Sequence, residues 1–151
     1  MQQVSIDITS EQGLADLVTK LYKVQSQQHC IIHLRGELGA GKTTFARYWL
    51  RACGVQEPIR SPSYPVLYSY TTQNGQWHHF DCYRLSGIEQ LYALGYAEIA
   101  DSDGILLEWP ENVSDDALKA DIEVEIKLLQ DDGCRKVIVS SDGFDPAVLL
   151  N

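Results

Sequence analysis

One eight-residue segment constrains the fold of this chain more than any other. Gly36–Thr43 reads Gly-Glu-Leu-Gly-Ala-Gly-Lys-Thr and fits the pattern G-x-x-x-x-G-K-[ST] at every fixed position. The apolar run Cys30–Leu34 precedes it and predicts a buried parallel strand, whereas Thr43–Cys53 predicts a helix that ends at Gly54. A glycine-rich turn that only happens to precede a helix is the alternative, but it leaves the preceding strand unexplained. The order therefore predicts a strand–loop–helix unit that binds phosphate.

The residue types of this loop match the chemistry of a nucleotide phosphate. Glycines let backbone N–H groups point inward, and the helix that follows adds the positive end of its dipole. Lys42 would bring a full charge to the β- and γ-phosphates, and the Thr43 hydroxyl would bind Mg²⁺. The residues predicted to surround the phosphates are Gly36, Glu37, Leu38, Gly39, Ala40, Gly41, Lys42, Thr43 and Thr44.

Patterns elsewhere predict helices on a mixed sheet. Gln3–Ile8 alternates as a strand does, and Thr9 is predicted to cap the following helix together with Gln12. Ser61–Tyr70 and Gln76–Leu85 predict a hairpin that turns at Asn74-Gly75.

The second half of the chain continues this mixture. Ile88–Leu94 predicts a short helix, and Ile105–Trp109 predicts a buried strand that Pro110 ends. In the tail, Ile122, Val124, Ile126 and Leu128 alternate on one strand face, Asp131-Asp132-Gly133 turns the chain, and Val137 and Val139 lie on the returning strand. We expect one domain over residues 1–151: an α/β, P-loop NTPase-like three-layer sandwich whose mostly parallel sheet carries antiparallel hairpin additions.

A second acid is expected near the loop because bound Mg²⁺ needs it. Glu108 ends a buried strand and is the first candidate; Glu111 is the second, and a solvent-facing Glu108 is the alternative. Asp81 lies in an aromatic strand, where burial is costly without a partner, and is the candidate for activating water. It could instead cap the following loop. Arg84 could stabilise transition-state charge or form a salt bridge, and composition favours the salt bridge.

Composition restricts the class of protein. The chain has 12 basic and 21 acidic residues, a net charge of −9, which argues against a free-standing nucleic-acid binder. Its four cysteines form no C-x-x-C pair, so we expect reduced thiols that are mostly buried. A metal site from His78, His79 and Cys82 is disfavoured because a strand sends the two histidines to opposite faces. With no signal peptide or membrane span in the sequence, we expect a cytoplasmic location.

Several motifs together resemble the TsaE family, the bacterial ATPases of tRNA threonylcarbamoyladenosine formation. They are Gly36–Thr44, Ser61–Tyr64, His79–Leu85, Leu94-Gly95 and Leu107–Glu111, and they occur in the family's order over roughly residues 5 to 140. The P-loop is common to many families, whereas the aspartate strand followed by the Glu-Trp segment is much more specific.

The resemblance implies a protein that binds ATP or ADP with Mg²⁺ and hydrolyses ATP slowly. It implies association with TsaB and TsaD, which transfer threonylcarbamoyl to adenosine 37 of tRNA, with tRNA contacted only through that complex. By position, Thr43 and Glu108 would hold Mg²⁺, Lys42 would hold phosphate, and Asp81 would be the catalytic acid. Ser61–Tyr64 would be a switch-like loop. Trp109 would lie near the nucleotide, and Thr9 and Arg135 would approach the base or ribose.

Three other functions fit the P-loop. A small-molecule or nucleoside kinase usually carries an arginine-bearing lid, and this chain has no Arg-rich insertion. A nucleotide-gated binding module would hydrolyse slowly alone and faster with a partner. A structural protein with a vestigial loop would not bind nucleotide, and the intact Lys42-Thr43 pair argues against it.

Overall fold

Seven strands and four helices make up the regular structure of the chain in a computed structural model that describes residues 1–25, 29–61, 66–130 and 133–151. The strands are β1 (Gln2–Ile8), β2 (Ile31–Arg35), β3 (Leu67–Thr72), β4 (Gly75–Asp81), β5 (Gly104–Glu108), β6 (Ile122–Leu128) and β7 (Arg135–Ser141). The helices are α1 (Glu11–Val24), α2 (Lys42–Ala52), α3 (Ile88–Ala93) and α4 (Tyr96–Ala100), with short 3₁₀ turns at Pro110–Asn112 and Pro146–Leu150.

The strands form one sheet in the order β1-β7-β6-β2-β5-β4-β3. The four central strands β6, β2, β5 and β4 are parallel, whereas β7 and β3 run antiparallel to their neighbours. Because β1 is antiparallel to β7, it points the same way as the central four, so five of the seven strands share one direction. The predicted mixed, mostly parallel sheet with antiparallel additions is confirmed.

Two apolar cores lie on the two faces of this sheet. The P-loop face, which α1 and α2 cover, holds the larger core, in which Trp49 of α2 packs edge-on against Trp77 of β4 with ring centroids 5.6 Å apart. The opposite face is covered by α3 and α4, where Phe80 packs against Tyr96 with centroids 5.8 Å apart. Alternate residues of β4 and β5 therefore belong to different cores.

Some local predictions are wrong in detail. The α1 N-cap is Ser10, whose hydroxyl accepts a hydrogen bond from Gly13 N at 3.0 Å, rather than Thr9. Gln12 reaches Asp16 and takes no part in a capping box. Strand β1 ends at Ile8 and helix α1 begins at Glu11, so Ser10 holds the N-cap position and Thr9 precedes it.

Other differences are similarly small. The hairpin is present, but its turn residues are Gln73-Asn74, because Thr72 pairs with Gly75. Leu128 is 41% exposed, since it lies at the end of β6 beyond the core that buries the other three alternating residues. Helix α4 was not predicted; it starts directly after Gly95, whose φ is +88°.

Some predictions lie outside the described residues: residues 62–64 of the switch-like loop and the first two residues of the Asp131-Asp132-Gly133 turn. Of the cysteines, Cys30, Cys53 and Cys82 are buried and all four are free thiols, as predicted. Burial raises the pKa of the Cys53 and Cys82 thiols to about 12. In the part of the chain described, no helix has the length and apolar character to cross a bilayer.

Candidate functional site

The predicted site residues gather at one edge of the sheet. Parallel strands place their carboxyl ends together, and β2, β4 and β5 end at Arg35, Asp81 and Glu108. A cavity of about 430 Å³ opens there. Its lining comprises Leu38, Gly39, Gly41, Lys42, Thr43, Thr44, Ser61, Asp81, Tyr83, Arg84, Glu108 and Trp109. Segments far apart in the sequence, including the loop after β2 and the ends of β4 and β5, thus share one cleft.

Glycine is required at two positions of the loop. Gly36 has φ +152°, and a Cβ there would lie 2.6 Å from the carbonyl oxygen of Ile126 in β6. Gly41 has φ +118° and forms the N-cap of α2. Arg135 fastens the loop from outside, since its Nε donates to the carbonyl of Ala40 at 2.6 Å. Glycine backbone conformations and the Arg135 contact therefore both contribute to the shape of the loop.

Lys42 begins α2 and is almost fully buried, with 5% of its surface exposed. Its ammonium donates to the carbonyl oxygens of Gly36 and Glu37 and lies 4.4 Å from the centre of the Trp109 ring. Burial lowers the pKa of Lys42, and nearby carboxylates, Glu108 first, oppose that shift. The cavity is therefore lined by the Lys42 ammonium, whose partners are two backbone carbonyls and the face of an indole ring.

Glu108 and Thr43 form the oxygen pair of the site. The Thr43 hydroxyl donates to the Glu108 carboxylate, at 3.3 Å from one oxygen and 3.2 Å from the other. Glu108 is only 3% exposed, so the alternative of a solvent-facing acid is excluded. Glu111, the second candidate, has a carboxylate oxygen 3.9 Å from a guanidinium nitrogen of Arg35, and it does not line the cavity. A hydroxyl and a carboxylate at this separation are the ligand types that Mg²⁺ prefers.

Asp81 faces the same cavity beside Glu108, its direct partner in the β4–β5 register. One of its oxygens accepts a hydrogen bond from Tyr83 N at 3.0 Å, so it also caps the loop that follows. Burial raises the pKa of Asp81, the Tyr83 N–H opposes the shift, and the charge of Glu108 adds to it. A carboxylate with a raised pKa and one oxygen available to the cavity is suited to accept a proton.

Trp109 closes one side of the cavity. It is the one non-glycine residue of the described chain with a positive φ, at φ 60° and ψ 49°, and it turns the chain between β5 and Pro110. Its ring lies 5.0 Å from that of Tyr83. Strained backbone of this kind is concentrated at functional sites.

A smaller cavity of about 180 Å³ adjoins the loop on the α1 side. It is lined by Ile8, Ser10, Glu11, Leu14, Gly41, Thr44 and Arg135. Arg135, which was predicted to approach the base or ribose, is one of these lining residues. Thr9, predicted with it, is exposed, and its neighbours Ile8 and Ser10 line the cavity instead. Gly36, Glu37 and Ala40 line neither cavity.

Sequence reasoning gave no role to His79, a polar residue beside the site. The imidazole of His79 is fully buried, and its Nε2 lies 2.6 Å from a Glu108 oxygen. His78 points to the opposite face, where it meets Ser69 and Asp103, as strand alternation predicts. Within the described residues, no group of three or more His, Cys, Asp or Glu side chains is arranged to hold a metal. The usable signal for His79 was its spacing of two from Asp81, which places both on one face.

Comparison with known proteins identifies relatives of this chain. A sequence model of the family described as "Threonylcarbamoyl adenosine biosynthesis protein TsaE" matches residues 8–137. The tRNA threonylcarbamoyladenosine biosynthesis protein TsaE of Rickettsia typhi is 35% identical over 126 residues, which is 83% of this chain and 87% of the relative. The protein of the same name from Haemophilus influenzae is 36% identical over 74% of this chain and 71% of its own. The protein of that name from Aquifex aeolicus is 34% identical over 82% of this chain and 84% of its own length.

Among solved structures, the crystal structure of YdiB from Bacillus subtilis superposes with a TM-score of 0.71, covering 99% of this chain and 92% of its own at 21% sequence identity. At this low sequence identity, the superposition shows that the two proteins share a fold and nothing further.

The strand–loop–helix unit and the cavity at the edge of a mostly parallel sheet define an α/β protein of the P-loop class. Within that class, the chain belongs to the TsaE family, whose members take part in tRNA threonylcarbamoyladenosine biosynthesis.

Proposed function

We propose that this chain binds ATP or ADP with Mg²⁺ in the larger cavity, hydrolyses ATP, and thereby supports threonylcarbamoyl transfer to adenosine 37 of tRNA together with TsaB and TsaD homologues. The observation that carries the proposal is the convergence of Lys42, Thr43, Glu108 and Asp81 on one cavity from three separate segments. We further propose that residues 1–151 form a single domain that works in the cytoplasm.

The phosphates would lie against the loop, where each chain group has a separate task. The Lys42 ammonium would exchange its two carbonyl partners for phosphate oxygens and offset their charge. The N-terminus of α2, immediately after Gly41, adds backbone N–H donors. Arg135 keeps the loop in shape through Ala40 while these contacts form.

Thr43 and Glu108 would hold Mg²⁺, because their oxygens already lie within 3.3 Å of each other at the cavity wall. Held by these two residues, Mg²⁺ would supply positive charge that offsets the negative charge of the phosphates during hydrolysis. Asp81 would orient the attacking water and accept its proton, since burial gives its carboxylate a raised pKa.

The net charge of −9 supports an indirect relation to tRNA. An acidic chain repels the phosphate backbone, so contact with tRNA would come through partner proteins.

The experiment measures ATP binding and turnover by the full chain, alone and with purified TsaB and TsaD homologues plus tRNA. Lys42→Ala should weaken ATP binding about 30-fold or more, because it removes a buried charge from a charged ligand. Lys127→Ala makes the same chemical change at an exposed site and should leave binding unchanged. We expect slow turnover alone and faster turnover with the partners.

Three results would contradict the proposal at different levels. Absence of ATP binding by the wild type would refute the whole proposal. Binding with a turnover that ignores the partners would refute the assignment to them. Turnover accelerated by a nucleoside or sugar instead would identify a kinase.

A further inference from the structure

The fully buried imidazole of His79 lies directly against the carboxylate proposed to hold Mg²⁺. Its Nε2 is 2.6 Å from Oε2 of Glu108, and the Thr43 hydroxyl is 3.2 Å from that same oxygen. Glu108 thus has one hydrogen-bond partner from β4 and another from α2. Two contacts to one carboxylate restrict its rotation.

Hydrogen-bond accounting indicates how this imidazole is used. A carboxylate that binds a metal is ionised and only accepts hydrogen bonds, so in that state Nε2 of His79 is the donor to Glu108. The other ring nitrogen, Nδ1, has no hydrogen-bond partner among the described residues. A buried polar atom without a partner costs about 1–3 kcal/mol, so stability alone would favour an apolar side chain at this position. The contact with Glu108 is what the imidazole adds.

The strand register explains why Glu108 needs this contact. Asp81 is the direct cross-strand partner of Glu108, whereas His79, paired with Leu106, is its diagonal neighbour on the same face. Asp81 is another acid and offers no proton when ionised. Most P-loop proteins have an aspartate at this place, and glutamate has one more rotatable bond. More side-chain rotamers of Glu108 must therefore be excluded to hold its carboxylate in one position.

We propose that His79 is a positioning residue that orients Glu108 for binding Mg²⁺. This inference rests on the proposed function, since it concerns the same metal. Loss of the N–H donor at position 79 would release the Glu108 carboxylate toward other rotamers. The affinity for Mg²⁺ would fall, while the contacts between the loop and phosphate would remain.

The test titrates Mg²⁺ into the full chain with ATP present and follows binding by calorimetry, with ATP binding in EDTA measured separately. His79→Phe removes the donor but keeps a ring, whereas His79→Gln keeps an N–H donor. His78→Phe is the matched control, because His78 is the next residue of the same strand, is also buried and points to the opposite face.

We expect His79→Phe to weaken the apparent Mg²⁺ affinity about 10- to 100-fold, the usual effect of losing a residue that orients a metal ligand. His79→Gln should recover part of this loss, and His78→Phe should match the wild type. ATP affinity in EDTA should change less than about twofold in all three variants, because the phosphate contacts of Lys42 do not involve His79. The inference would be overturned if His79→Phe bound Mg²⁺ as tightly as the wild type. It would also be overturned if His78→Phe lost as much Mg²⁺ affinity as His79→Phe.

The design separates this inference from the proposed function. Failure of the wild type to bind ATP, or indifference of that binding to Mg²⁺, would refute the proposed function itself. Normal wild-type binding with an unaffected His79→Phe variant would refute only the role of His79.

A measurement on the wild type decides the matter even if His79→Phe does not fold. Imidazole ¹⁵N spectra should show His79 with its proton on Nε2, and this signal should shift when Mg²⁺ is added to the ADP-bound protein, whereas the His78 signal should not. A His79 signal that stays in place on addition of Mg²⁺ would overturn the proposal.

Discussion

At the cavity end of strand β4, the two faces carry different kinds of residue, although these residues alternate along one seven-residue strand. On the P-loop face, His79 and Asp81 contact or adjoin Glu108 at the cavity. On the opposite face, Phe80 is fully buried against Tyr96. The same division continues in β5, where Glu108 faces the cavity and Leu107 faces the second core.

At these strand ends, residues that form the site and residues that stabilise the fold are therefore immediate neighbours in the sequence. Polar groups of the P-loop face are buried in hydrogen-bonded pairs, which stabilise little but fix geometry. Apolar groups of the opposite face contribute through area and packing. Substitutions at neighbouring positions should therefore change different observables.

The largest effect is expected on the P-loop face. Asp81→Asn should lower ATP turnover by about 10²- to 10⁴-fold, the range for loss of a general base, while ATP affinity stays within about fivefold. The amide keeps an oxygen for the Tyr83 N–H, so the loop should keep its shape. Single-turnover kinetics with saturating ATP measure the change.

Asp103→Asn is the matched substitution on the opposite face, because Asp103 pairs with His78 there. It should leave turnover by the folded protein unchanged. An equal loss of turnover in both variants would mean that the two faces are not separated in function.

Phe80→Ala should have the reverse effect of Asp81→Asn. Removing a fully buried ring should lower the free energy of unfolding by about 3–5 kcal/mol, through lost burial and the cavity left behind. The measurement is denaturant unfolding, with ATP binding as the control. A folded variant that had lost ATP affinity would break the comparison.

His33 gives a pH-dependent test of the opposite face. It lies in β2, is 2% exposed, and neither ring nitrogen has a partner among the described residues. Burial, with a smaller contribution from Arg35, lowers its pKa to about 4. In the unfolded chain a histidine takes up a proton near pH 6.5, so the unfolded state binds more protons between the two values. Stability from neutral His33 is therefore lost as the pH falls through this window.

His33→Leu should remove this loss. Between pH 7 and pH 4.5, the wild type should lose about 2–3 kcal/mol more unfolding free energy than the variant, as two pKa units correspond to 2.7 kcal/mol. Urea unfolding at both pH values measures the difference, and carboxylates affect both proteins alike. Equal losses would show that His33 is protonated in the fold without cost.

The sequence was most informative where chemistry is local. The loop from Gly36 to Thr43 and the strand before it follow from residue types at fixed spacing, and Glu108 followed from its place at a strand end. The role of His79 did not, because it depends on β4 lying beside β5 in one register. The spacing of His79 from Asp81 places both on one face of β4, but no pattern within either strand shows that β4 lies beside β5.

The start of α1 shows a different limit. Thr9 and Ser10 are both good N-caps, so the sequence alone does not distinguish them. The structure does, because α1 begins at Glu11 and the Ser10 hydroxyl accepts a hydrogen bond from Gly13 N. Which of the two adjacent hydroxyls caps the helix is therefore visible only in the folded chain.

The smallest expected effect tests that choice on the P-loop face, where α1 packs. Ser10→Ala should lower the free energy of unfolding by about 1 kcal/mol through loss of the cap, whereas Thr9→Ala should change it by only a few tenths, because Thr9 is exposed. Denaturant unfolding without nucleotide measures both, so the place of Ser10 in the smaller cavity does not interfere. A cost for Thr9→Ala as large as for Ser10→Ala would mean that both hydroxyls cap the helix. If the prediction holds, the P-loop face also contains stability determinants that are separate from Lys42, Asp81 and Glu108, and the division between the two faces applies to the chemistry alone.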